Sequence, residues 1–170
     1  MGLRLAKMAA IAGACAAGCI AAPASAATIT ATAKAKLVKP LVLQSMQDFD
    51  LGTLVLGPGT WSGAVVTLSQ GGVLSCPAAV TCSGATQVAR YNVSGSNNQT
   101  VVINAADVIM VNQSDSAKTL TLAVDSPASV ILTNSGPPGT NFSIGGSITL
   151  DSDTAGGIYA GTFEVTADYQ

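Results

Sequence analysis

The chain has 170 residues, only 9% of them charged, and seven Lys and Arg against nine Asp and Glu leave a net charge of −2. No basic run is present to neutralise a row of phosphates, which argues against nucleic acid or an anionic membrane as a partner. The chain contains no histidine, so Ser-His and Cys-His nucleophile pairs are excluded as well.

The N-terminus reads as an export signal. Arg4 and Lys7 precede the apolar run MAAIAGACAAGCIAA, and the small-residue site ASA at 24–26 follows Pro23. The run is too short and Ala-rich for a stable spanning helix, and AAGC before Ile20 lacks the Leu usual ahead of a lipidated Cys. Cleavage after Ala26 leaves one domain-sized mature chain with five basic and nine acidic residues, expected to insert in no membrane.

The stretch ATITATAKAKL follows, with Ala27, Ile29, Ala31, Ala33, Ala35 and Leu37 at odd positions and Thr or Lys between them. Period two places these side chains on one narrow face and predicts a strand over 28–38, not an amphipathic helix. Residues 39–170 then repeat short apolar runs bounded by Gly, Pro, Asn and Asp. They predict strands near 41–47, 52–56, 63–69, 86–93, 100–103, 107–111, 118–124, 129–133, 145–150 and 157–169. Strands at this spacing without helices between them predict an all-β, antiparallel sandwich or barrel. In the last strand Tyr159, Phe163, Val165, Ala167 and Tyr169 share a core face, while Thr162, Glu164, Thr166 and Asp168 face solvent.

Cys76 and Cys82 remain after export, in LSCPAAVTCSG. A disulfide closing that short loop is expected in an oxidising compartment; the alternative, a two-Cys metal site, has no His to complete it. Glu164 is the single Glu, whereas a glycosidase needs two carboxyls across a cleft. The Asp residues fall at turns, where their side chains bond local backbone, and DSD at 151–153 lacks the ligand ladder of a dedicated Ca²⁺ loop. Trp61, after a Gly-Pro-Gly turn, is read as a cover for one end of the core rather than a sugar platform. No enzyme activity, cofactor or metal is expected.

Two stretches carry a family likeness. QDFDLGTLVLG at 47–57 resembles the DFGT signature of pilin-like domains of the spore-coat-U and archaic chaperone–usher type, with Asp50 interposed. IGGSITLDSDTAGGIYAGTFEVTADY, from Ile144, resembles the close of the DUF4402 family of exported bacterial domains, and so does the layout as a whole. The resemblance implies an immunoglobulin-like, pilin-like sandwich completed by a strand from a neighbouring subunit. It implies a non-enzymatic subunit of a surface fibre, polymerising head-to-tail, handled by a periplasmic chaperone and an outer-membrane usher and ending at the cell surface or outside it. Residues 27–38 are then the donor, with Ile29, Ala31, Ala33, Ala35 and Leu37 entering the next subunit. The other reading is a self-complete secreted binding or coat module, in which 27–38 is the domain's own first strand.

Overall fold

The computed structural model describes residues 27–170; the expected export signal, residues 1–26, lies outside the described residues. The described chain divides after Ala35 into two units. In the first, residues 27–35 form neither strand nor helix and are exposed throughout. The expected strand over 28–38 is therefore not formed. A two-residue alternation specifies which side chains share a face, but a strand exists only when its backbone has a partner.

The second unit is all-β. In chain order its strands are β1 (Val42–Gln47), β2 (Thr53–Leu56), β3 (Ala64–Leu68), β4 (Leu74–Ser75), β5 (Val80–Ser83), β6 (Ala89–Ser94) and β7 (Thr100–Ala105). They continue with β8 (Val108–Asn112), β9 (Thr119–Asp125), β10 (Ser129–Ile131), β11 (Thr140–Leu150), β12 (Tyr159–Ala160) and β13 (Val165–Tyr169). Every pairing between strands is antiparallel. One large sheet runs β1-β6-β11-β9-β8-β12, with β3 also on β11 and β4 on β3. A three-stranded sheet, β10-β7-β13, and a two-stranded ribbon, β2-β5, complete the set.

Burial alternates as the sequence predicts. In β3, Ala64, Val66 and Leu68 are buried while Val65 is exposed, the mark of a strand with one face on a core. The long strand β11 pairs β6 through Thr140–Ile144 and β3 through Gly146–Leu150, and it carries β9 on Gly145–Ile148. Its neighbour changes at Gly145–Gly146. A Cβ on Gly145 would collide with the Leu68 carbonyl oxygen, and one on Gly146 would sit 2.9 Å from Leu122 Cδ1. The GG of IGGSITL thus allows two strands to crowd one crossing point.

The core has two clusters. Ala89, Val93, Val101, Ile103, Leu132, Phe142 and Ile144 lie between β1-β6-β11 and the three-stranded sheet. Ala64, Val66, Val80, Leu122, Ile148 and Leu150 lie between the rest of the large sheet and the ribbon. Phe49, Val124 and Phe163 pack against both. Tyr91 stacks on Phe142 at 5.6 Å; burial pushes its phenol above the usual tyrosine range, Asp48 adds to the rise, and a hydrogen bond with Ser45 opposes it. The architecture is that of an all-β, immunoglobulin-like sandwich.

Two elements depart from the sequence reading. Residues expected to be a mere excursion around the cysteines form β4 and β5, and β5 pairs β2 from Thr53↔Ser83 to Leu56↔Val80. The C-terminal strand, expected to be continuous over 157–169, is split into β12 and β13. Tyr159↔Asn112 and Ala160↔Val111 keep one register and Val165↔Ala105 to Tyr169↔Val101 another, offset by a single residue. Residues 161–164 between the two halves form no strand, and the chain passes there from β8 in the large sheet to β7 in the three-stranded sheet.

Candidate functional site

The chemistry of the side chains is turn chemistry. Asp50 Oδ1 accepts from Gly52 N (2.8 Å), Asp107 Oδ1 from Val124 N (2.8 Å), Asp115 Oδ1 from Ala117 N (3.1 Å) and Asp151 Oδ1 from Gly63 N (2.7 Å). Each of these carboxylates caps local or adjoining backbone, as Asp in a turn is apt to do. Among the described residues no three His, Cys, Asp or Glu gather as a metal site. Trp61 packs on the second core cluster, and its Nε1 donates to Gly57 O (3.2 Å).

The distinctive region is a cleft of about 420 Å³. One wall is Phe49–Leu54 with Leu56, the other is Thr154–Tyr159, and Met110, Leu120, Ile148 and Leu150 of the large sheet form the floor. Its walls end in strands with one partner each: β2 pairs β5 alone, and β12 pairs β8 alone. Beyond residues 161–164, β13 likewise pairs β7 alone. β12 and β13 therefore each leave one edge unpaired, and the unpaired edge of β2 lies across the cleft from β12.

Burial follows this geometry. Central strands bury their inward side chains almost completely: Val66, Leu68, Val93, Val101 and Ile144 are fully enclosed. Along the cleft Phe49, Leu51, Leu54, Leu56 and Tyr159 are half-buried, and beyond it so are Phe163, Val165, Ala167 and Tyr169, although all but Tyr159 pack on the core. Ile158 at the lip is 74% exposed.

Local contacts hold the walls. The disulfide Cys76–Cys82 forms, closing the loop between β4 and β5, and Cys82 lies directly opposite Leu54 of β2. Asn112, the buried polar residue at the end of β8, donates from Nδ2 to Gly156 O (3.1 Å) and accepts at Oδ1 from Ser114 N (2.9 Å) and Asp115 N (3.3 Å). It fastens the far wall to the loop after β8. At the other end Tyr169 OH donates to Lys39 O (2.7 Å) and accepts from Ser96 N (2.8 Å). The chain ahead of β1 is thus fixed beside the end of β13.

The family model for the domain of unknown function DUF4402 matches residues 41–169. The chain belongs to the DUF4402 family. Comparison with curated proteins and with solved structures finds no match. The DUF4402 match takes in both clusters and every wall of the cleft, and it starts after the alternating segment. Its two quoted motifs are the two sides of the cleft: QDFDLGTLVLG supplies Phe49–Leu56, and GGIYAGTFEVTADY supplies the far wall from Gly156 and the strand beyond it. The predicted core face Tyr159, Phe163, Val165, Ala167 and Tyr169 lies on one side of that strand. The residues expected to be donated, Ile29, Ala31, Ala33, Ala35 and Leu37, are all exposed, Ile29 at 96% and Leu37 at 88%. Asn112 and the β5 support were not singled out in the sequence. Asn112 sits in a sequon-like NQS, and β5 lies inside the cysteine loop, so each carried a more familiar local meaning.

Proposed function

We propose that this DUF4402 chain is an exported, non-enzymatic structural subunit of a bacterial surface fibre, completed by a strand from a neighbouring copy. The observation that carries the reading is the row of half-buried core residues along Phe49–Leu56 and Tyr159–Tyr169, whose strands each leave one backbone edge unpaired. Unpaired edges beside exposed core are a template for strand addition: backbone hydrogen bonds give adhesion, and alternate side chains enter the apolar floor.

Residues 27–38 suit the role of donor. They alternate with period two, and they make no strand with their own chain. At about 3.3 Å per residue they extend roughly 40 Å, enough to follow the chain from Tyr159 to Tyr169. Donor and cleft are different surfaces of one chain, so the contact is head-to-tail and generates open polymers. A periplasmic chaperone and an outer-membrane usher fit this reading, because an open cleft must be shielded before assembly.

The three inward Ala residues favour a second reading, a self-complete binding or coat module, since each buries far less than the ~1.5–3 kcal/mol of a large aliphatic side chain. The two part on size. The chain from Ala27 should form concentration-dependent polymers in sedimentation or light scattering, and a chain beginning at Lys39 should stay monomeric with the same circular dichroism. A monomer in both cases would sink the fibre reading.

A further inference from the structure

Resting on that reading, we infer that one copy's tail is recognised by the next through charge, Lys34 and Lys36 lying over Glu164 and Asp168 of the receiving segment. The tail carries Thr28, Thr30, Thr32, Lys34 and Lys36 on the face opposite its apolar residues. The receiving segment exposes Thr162 and Glu164 just ahead of β13 and Thr166 and Asp168 within it, alternating with half-buried Phe163, Val165, Ala167 and Tyr169. Residues opposed across neighbouring strands point to the same side of a sheet. Every register that turns the tail's apolar face inward, parallel or antiparallel, therefore sets its Lys face beside the acidic face. A one-residue slip would drive both Lys side chains into the apolar cleft.

On the edge that is already paired Asp168 faces Val102, not a basic residue, and its neighbour on the exposed face, Thr166, faces Asn104. A third exposed acid, Asp50, stands on the opposite wall of the cleft. The charge of the mature chain is divided the same way. Lys34, Lys36 and Lys39 lie at its start, whereas residues 40–170 hold Arg90 and Lys118 against all nine acidic residues. A basic tail and an acidic body make a second copy of this chain the matched occupant. Ala side chains offer the cleft little shape to read, so charge supplies what they lack: steering of the encounter and rejection of like-charged segments.

The test compares five exported, purified full chains: wild type, K34E/K36E, K34Q/K36Q, E164K/D168K and the variant combining K34E/K36E with E164K/D168K. Assembly is followed by light scattering at about 20 mM and about 500 mM salt, where screening is weak and strong. All these positions are exposed, and circular dichroism checks that each variant folds. At low salt K34E/K36E and E164K/D168K should each assemble about 10-fold more slowly, K34Q/K36Q should fall between them and wild type, and the combined variant should recover most of the rate. High salt should compress the differences. Equal rates for all five at both salts would overturn the charge inference and leave strand addition standing. Failure of wild type to assemble would overturn both. Charge-dependent stability in a chain that stays monomeric would mean that the tail closes its own cleft, against the head-to-tail reading.

Discussion

Gly156 and Gly157 are neighbours on the wall of the cleft, yet their surroundings differ sharply. Gly157 has φ of +147°, and a Cβ there would collide with the Asn112 amide; a Cβ on Gly156 meets nothing within 4 Å. Gly157→Ala should therefore cost about 1–3 kcal/mol through overpacking and backbone strain, while Gly156→Ala should stay within about 0.5 kcal/mol of wild type. Urea denaturation of the two variants checks the pair, and equal losses would contradict the Asn112 contact. At this scale the sequence was legible where a residue's role is local. Asp in turns, Trp61 against the core and the Cys76–Cys82 bridge follow from chemistry that reaches a few residues. Asn112 reaches Gly156, far along the chain, and nothing in NQS indicates that distance.

Among the elements, strands with a buried face were legible because their burial and their period coincide. β3, β7 and β9 lie close to the expected spans. Three elements were set by partners instead. Residues 28–38 have the period of a strand and form none. Val80–Ser83 became β5 because Thr53–Leu56 offered an edge. The final strand split to pair β8 in one sheet and β7 in another. The disulfide joins this scale to function, since it braces β5, the sole partner of β2. Replacing Cys76 and Cys82 by Ser should lower stability by about 2 kcal/mol in the chain-entropy model for so short a loop. Thermal unfolding measures that loss. Hydrogen exchange should then rise first at Thr53–Leu56, ahead of the central strand β11; a uniform rise would mean that the bridge does not support this wall.

At the scale of the molecule, an all-β sandwich was legible from period two and turn chemistry, and the DUF4402 motifs marked its two open sides. What the pattern did not reveal is that those motifs face each other across a cleft, because juxtaposition depends on pairings distant in sequence. The central claim is that the cleft accepts the alternating segment, and it is tested most directly by separating the two. A domain beginning at Lys39 is titrated with a peptide of residues 27–38, and its thermal midpoint is followed. The account predicts a saturable rise of several degrees, as for any ligand that binds only the folded state, and no rise with a peptide whose Ile29 and Leu37 are replaced by Asp. An unchanged midpoint at millimolar peptide would contradict it.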